Sequence, residues 1–186
     1  MKIELEKLWL AIQLMWLPHE IAVRQGWTDS SIRIIAKIIY LAQWVTKVDL
    51  GYRFELCRKT PRIVCHELNA DLVNLGRAVH SKTIEPVAEQ LSTEEQARLH
   101  RFAELLRTIP VLDKTTVEDF VTMIARFHYV KHIAGWGANC AALDFETHYP
   151  GSSDQLLVER ELFLGRLYEL YNELHLPNTA TAMSRG

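Results

Sequence analysis

The feature that most constrains the fold of this chain is the stretch of residues 34–75, in which two apolar segments with helical spacing enclose a short basic turn around Pro61. Apolar side chains at helical spacing bury against a core, whereas clustered charges remain in solvent. The stretch therefore predicts two core helices that hold a positively charged turn at the surface. The cations of this turn are Arg53, Arg58, Lys59 and Arg62.

Helical patterns also dominate the rest of the sequence. Two segments open with a capping-box pattern, Ser92-Thr93-Glu94-Glu95 and Thr115-Thr116-Val117-Glu118. In a capping box a hydroxyl and a carboxylate each satisfy a backbone N–H at the start of a helix. Together with the hydroxyl and carboxyl side chains near residues 28 and 152, these patterns predict helices over 28–46, 92–109, 115–132 and 152–174.

One short segment has the alternation of a half-buried strand. Apolar and polar residues alternate from Tyr52 to Cys57, and helical spacing resumes at Ile63 and closes at Gly76. We therefore predict a mainly α protein, a compact multi-helix domain with one short β-hairpin or strand near residues 52–57.

Length and charge limit the organisation and the classes of function. The 186 residues suffice for one core, so we predict a single helical domain over 1–176 followed by a flexible tail, 177–186. The chain carries 21 basic and 23 acidic residues, for a formal net charge of -2. This balance excludes nucleic-acid binding through overall charge, so any such contact would need a local patch.

Other features indicate the compartment and the absence of common cofactor motifs. Cys57, Cys65 and Cys140 form an odd set without CxxC spacing, which is typical of reduced thiols. The apolar segment 8–17 is too short to span a bilayer and follows acidic residues, unlike a signal peptide. There is no Walker loop, dinucleotide glycine pattern or G-x-S-x-G elbow. We predict a cytoplasmic protein that stays out of the membrane and needs no cofactor.

A set of motifs in the order helix, strand, proline turn, helix resembles the core of the Panacea-domain family. In this chain the motifs are YLAQ within the helix 32–46, the segment 52–56, Pro61, and Glu67-Leu68 with Asp71-Leu72. The resemblance implies a helical module with a core over 28–135, of a kind found in prokaryotes, phages and mobile elements. Many members of that family act as the antitoxin of a toxin–antitoxin system by binding the toxin directly. An enzyme active site is not implied.

The chain departs from the family pattern at the turn itself. Thr60 precedes Pro61 and Arg62 follows it, where the family has glycine and tyrosine. The change removes a residue that tolerates positive φ and an aromatic contact. Whatever the turn recognises is therefore expected to differ here.

Together with the family resemblance, which implies the antitoxin-like or regulatory role, these patterns predict a non-enzymatic protein-binding module that acts through residues 34–75. Exposed loops and strand edges are natural docking points for an acidic protein or a toxin. Tyr52 and Phe54 interleave with the cations as in single-strand binders, so nucleic acid is a second candidate partner. The sequence leaves open whether the chain forms a homo-oligomer. The predicted partner-binding residues are Arg53, Arg58, Lys59 and Arg62.

An alternative function arises from the segment 126–132. Arg126 and His132 loosely resemble the R-x(4–6)-H motif of HEPN ribonucleases. In that chemistry an imidazole moves the proton of the attacking hydroxyl, and an arginine stabilises the phosphoryl transition state without a metal. The residues of this alternative catalytic site are Arg126, His128 and His132.

His128 and His132 also stand four residues apart on one helix face, as two metal ligands do. Neither Cys140 and His148 downstream nor Cys65-His66 upstream has a diagnostic spacing, so we predict no metal site. His132 is suited instead to the C-terminal end of its helix, where positive charge complements the macrodipole.

Overall fold

Seven helices and one two-stranded antiparallel sheet make up the part of the chain that the computed structural model describes. That part comprises residues 5–15, 28–57, 63–85, 90–110, 117–135, 137–149 and 153–175. In chain order the elements are α1 (Leu5–Leu14), α2 (Asp29–Thr46), β1 (Glu55–Leu56), β2 (Ile63–Val64), α3 (His66–His80), α4 (Thr93–Leu106), α5 (Val117–His132), α6 (Gly137–His148) and α7 (Asp154–His175). The predicted fold class, mainly α with one short β-hairpin, is confirmed.

The central element is α2, which packs against α3, α4, α5 and α7. Its apolar residues wrap more than one face, and Ile35, Ile39 and Ala42 are fully buried. Thr28 caps the start of the helix as predicted, because its side-chain oxygen accepts a hydrogen bond from the Ser31 N–H at 3.2 Å. This buried helix is the element on which the hairpin and the neighbouring helices are positioned.

Local capping fixes the starts of α4 and α7. The Ser92 hydroxyl accepts a hydrogen bond from the Glu95 N–H at 3.2 Å, and the Glu95 carboxylate accepts one from the Ser92 N–H at 2.8 Å. The latter bond is the main cause that lowers the pKa of the Glu95 carboxyl. At α7, the Ser153 hydroxyl accepts a hydrogen bond from the Leu156 N–H at 3.2 Å. Both predicted helix starts are confirmed.

Two boundaries near the basic turn differ from the prediction. Ile63, expected to begin a helix, lies in β2, where it pairs with Leu56. The helix α3 begins only at His66, after the cap residue Cys65. It continues past Gly76, where it was predicted to end, as far as His80. Two residues are too few to show a period of their own, and strand pairing across a turn is not visible in local spacing.

The second predicted capping box begins at Thr115, which lies outside the described residues. Its Glu118 ties α5 to α2, because the Ser30 hydroxyl and the Arg33 Nε each donate a hydrogen bond to its carboxylate at 2.5 Å. Burial alone would raise the pKa of Glu118, but these hydrogen bonds and the positive charges of Arg33 and Lys37 lower it overall. The N-terminal ends of the two helices are therefore held together by a carboxylate.

One continuous hydrophobic core receives side chains from every described helix. Leu8 of α1, Phe145 of α6 and Leu167 of α7 all belong to it. None of the described helices is both long enough and apolar enough to cross a membrane. Residues 177–186, predicted to form a flexible tail, lie outside the described residues.

Candidate functional site

The predicted recognition turn is carried by the hairpin of β1 and β2. Glu55 pairs with Val64 and Leu56 with Ile63 in antiparallel register. Of the four cations predicted to bind a partner, Arg53 precedes β1 and is exposed. The other three are Arg58, Lys59 and Arg62, and they lie outside the described residues, as does Pro61.

One side chain of α2 holds the segment that leads into the hairpin. The Gln43 Oε1 accepts hydrogen bonds from the N–H groups of Leu50 at 3.1 Å and Tyr52 at 3.3 Å, and its Nε2 donates to the Tyr52 carbonyl at 3.0 Å. The segment turns at Gly51, whose φ of 76° lies in the left-handed region that glycine tolerates. Gln43 therefore fixes this backbone against α2.

Two tyrosines attach the hairpin to α3 and α5. The Tyr52 hydroxyl donates to Asp71 Oδ2 at 3.0 Å, and the Tyr129 hydroxyl donates to the Phe54 carbonyl at 3.1 Å. The Phe54 ring also packs edge-on against Tyr40 of α2, with 5.1 Å between ring centroids. Burial, followed by the nearby Asp71 carboxylate, raises the pKa of Tyr52, so its hydroxyl keeps the proton that it donates. The base of the hairpin is thus bound to three helices.

A cleft of about 300 Å³ lies at the base of the hairpin. Three of its lining residues are buried or half-buried, namely Phe54, Val64 and Cys65. The Cys65 thiol is free, and no disulfide joins it to Cys57. The cleft therefore combines an apolar part with a rim that carries both signs of charge. The exposed rim residues are Arg53, Glu55, His66 and Glu67.

Arg126, the arginine of the predicted ribonuclease motif, is buried in an ion pair. Its Nε and Nη2 donate to the two carboxylate oxygens of Asp144 on α6, at 2.6 and 2.5 Å. The two side chains are only 7% and 8% exposed, and His148 lies beside them, with its Nδ1 3.5 Å from Asp144 Oδ1. A bidentate pair of this kind holds α5 to α6 and does not present the guanidinium to an incoming phosphate.

His132, the histidine of the same motif, faces α7. Its Nε2 is hydrogen-bonded to the Tyr168 hydroxyl at 2.6 Å, and its side chain is exposed. Partial burial and then the charge of Lys131 lower the pKa of His132. The structure directs Arg126 towards α6 and His132 towards α7, and it does not bring the two together. The ribonuclease alternative gains no support from this geometry.

His128 is completely buried between α2 and α5. Its Nδ1 is hydrogen-bonded to the Tyr40 hydroxyl at 2.6 Å, its ring centroid lies 4.1 Å from that of Trp44, and its Nε2 has no hydrogen-bond partner among the described residues. Burial and then nearby positive charge, that of His132 foremost, lower the pKa of His128 to about 3. The described residues include no group of three or more His, Cys, Asp or Glu side chains placed to hold a metal.

Aromatic side chains of α2, α5 and α7 meet around these two histidines, which was not predicted from the sequence. The helical spacing did carry a signal, because the members on each helix lie three, four or seven residues apart and so share one face. Which faces meet is decided by packing between helices that are distant in the chain. We call this group the aromatic–histidine cluster, and its members are Tyr40, Trp44, His128, His132, Tyr168, Tyr171 and His175.

Comparison with known proteins does not add an assignment. The chain matched no protein-family model, no curated protein and no solved structure. The Panacea-domain resemblance stays a prediction.

Proposed function

We propose that this chain is a non-enzymatic protein-binding module whose contact surface is the hairpin of β1 and β2 with the cleft at its base. One observation carries the proposal: Gln43 of α2, Asp71 of α3 and Tyr129 of α5 each hold the base of the hairpin by a hydrogen bond. A hairpin that is fixed in advance loses little conformational freedom on binding, so more of the contact energy appears as affinity. The edge of a small sheet also offers backbone groups to an extended segment of a partner.

The charges of the hairpin favour an acidic protein surface as the partner. Arg53 is exposed on the cleft rim beside Glu55 and Glu67. Cations nevertheless predominate in the segment 53–64, whose sequence has Glu55 against Arg53, Arg58, Lys59 and Arg62. Opposite charges across an interface speed association and fix the relative orientation of the partners. The apolar part of the cleft, at Phe54 and Val64, is suited to one apolar side chain of the same partner.

The resemblance to the Panacea-domain family specifies this partner further. The resemblance supports a toxin as the partner, one that this chain neutralises by direct binding in the cytoplasm of a prokaryote. The two proteins would form a toxin–antitoxin system carried by a phage or mobile element. A regulatory protein is the alternative within the same class. In both cases the chain acts by occupying a surface and needs no catalytic residue.

Charge reversal in the turn tests the proposal. The triple variant Arg58→Glu, Lys59→Glu, Arg62→Glu replaces attraction to an acidic partner by repulsion. A partner captured by the wild-type chain from its native host should bind this variant at least about tenfold more weakly, as measured by titration calorimetry with the purified partner.

The matched control reverses three exposed cations elsewhere, Arg77→Glu, Lys82→Glu and Arg166→Glu, and so changes the net charge equally. It should retain the partner, and so should His132→Ala, because His132 faces α7 and does not line the cleft. If the triple turn variant bound the partner as tightly as this control does, the hairpin would not be the contact surface.

A further inference from the structure

Part of the aromatic–histidine cluster reaches the surface where α2, α5 and α7 meet. The Trp44 ring stacks on Tyr171, with centroids 4.6 Å apart and planes inclined by 18°, and the Tyr168 ring packs edge-on against Trp44 at 5.8 Å. These three rings are half-buried, and His132 beside them is exposed. Aromatic rings that remain partly in solvent offer a stacking surface to a flat ligand.

Two lysines stand over these rings. The Lys47 Nζ lies 5.7 Å from the Trp44 centroid and 5.0 Å from the Tyr171 centroid, and the Lys131 Nζ lies 5.4 Å from the Tyr168 centroid. In the described part of the chain no salt bridge joins either lysine to a carboxylate. Both ammonium groups are therefore placed to meet an anion.

Two carboxylates on the same helix as Tyr168 and Tyr171 are already paired with arginines. Glu161 is bonded to Arg160, and Glu173 to Arg101. Glu169 is exposed and lies about 100° around the helix from Tyr168. Asp49, two residues from Lys47, is also exposed, and its Oδ1 accepts a hydrogen bond from the Gly51 N–H. Lys47 and Lys131 are therefore the charged groups that stand directly over the rings in the described part of the chain.

We propose that this surface binds single-stranded nucleic acid: the Lys47 and Lys131 side chains turn from the rings to backbone phosphates, and bases stack in their place on the solvent-exposed parts of Trp44, Tyr168 and Tyr171. The rings and the ammonium groups match the two halves of a nucleotide. An acidic protein would satisfy the lysines but would bring no flat group to the solvent-exposed parts of the rings, and a duplex hides its bases. The site uses none of the residues that line the cleft, so it goes beyond the proposed protein-binding function.

Binding of the full chain to labelled single-stranded RNA and DNA of one pyrimidine sequence, followed by fluorescence anisotropy, tests this site. Each lysine–phosphate contact contributes about −0.7 to the slope of log affinity against log salt concentration, so two contacts predict about −1.4. Lys47→Gln and Lys131→Gln should each reduce the size of this slope by about 0.7. Lys82→Gln is the matched control, because Lys82 is exposed and has a φ of 55°, close to the 56° of Lys47. Its slope should equal that of the wild type.

The stacking half of the site is tested by Trp44→Leu and Tyr171→Leu, each of which should weaken binding by at least about fivefold. Thermal melting shows whether these variants keep the fold, since Trp44 also packs on the buried His128. If Trp44→Leu unfolds, Tyr171→Leu and the two lysine variants decide the matter.

Three results would overturn the site. The first is that neither oligonucleotide binds. The second is that a polyglutamate peptide or a duplex of equal charge binds as well as the single strand. The third is that the lysine variants bind normally while the triple turn variant does not, which would place nucleic acid at the turn. A salt slope that is unchanged in the triple turn variant and is about halved in each lysine variant supports the site, whether or not the hairpin binds a protein.

Discussion

Protonation of the buried His128 should destabilise this fold. Its side chain is 0% exposed, and its Nδ1 is bonded to the Tyr40 hydroxyl at 2.6 Å. Burial first, and then the positive charges of His132, Lys131 and Lys47, lower the pKa of His128 to about 3, from about 6.5 for an ordinary histidine. Between these values the unfolded chain binds a proton that the folded chain does not. Stability present above about pH 6.5 is therefore lost as the pH falls towards 3.

Acidification from about pH 7 to about pH 5 should destabilise the protein by on the order of 2 kcal/mol through His128 alone. The variant His128→Leu lacks the titrating ring and should lose much less stability over this interval, as measured by urea denaturation at both pH values. The exposed His100→Gln is the control and should keep the wild-type dependence. An equal loss in His128→Leu and the wild type would assign the acid sensitivity to other groups.

At the scale of elements, the hairpin depends on α2 through Gln43. Gln43→Ala leaves the N–H groups of Leu50 and Tyr52 without their acceptor, which should cost about 1–3 kcal/mol. It should also speed amide hydrogen exchange over residues 50–56. Gln43→Glu keeps the acceptor and loses the donor to the Tyr52 carbonyl, so its effects should be intermediate. Gln155→Ala, at an exposed position in α7, is the control and should change neither quantity.

The same variant links this element to the proposed function. Gln43 does not line the cleft, yet a hairpin released from α2 loses its fixed pose, so Gln43→Ala should weaken partner binding as well. Unchanged exchange over residues 50–56 would show that Tyr52 and Phe54 hold the hairpin without help from α2.

Elements with local signals were predictable from the sequence, and elements defined by distant partners were not. The caps at Thr28 and Ser92 lie next to the helices that they start, and both were predicted. Strand β2 exists because Ile63 pairs with Leu56 across the turn, and no local spacing shows this. The helix prediction therefore began too early, although the hairpin itself was expected.

The contacts of the candidate sites were likewise not predictable where they join residues that are distant in the chain. Gln43 was recognised only as part of the YLAQ motif, because its hydrogen bonds to Leu50 and Tyr52 depend on how the chain leaves α2. Asp144 was not predicted to pair with Arg126, since 18 residues and a turn separate them. The stacking of Trp44 on Tyr171 joins the second and the last described helices, and the spacing within each helix shows which residues share a face but not which faces meet.

At the scale of the whole molecule, a single core links the first helix to the last. Leu8 and Ile12 of α1 and Leu167 of α7 belong to the same buried cluster. Helix α4 contacts both α1 and α7, and α2 contacts α7 directly. No described helix packs on a core of its own, so disruption at one end should be felt at the other.

Unfolding should therefore be one cooperative transition, in which the helical circular-dichroism signal and tryptophan fluorescence change together. Leu167 is 0% exposed, so Leu167→Ala should cost about 2–5 kcal/mol and shift both curves to the same lower midpoint. Leu143→Ala is the matched control, because Leu143 is 62% exposed and its truncation should shift the midpoint little. Amide exchange in α1 should accelerate in Leu167→Ala, since α1 shares the core that α7 closes. If α1 stayed protected while α7 opened, the molecule would consist of two units, and the aromatic surface on α7 could be lost without disturbing the hairpin.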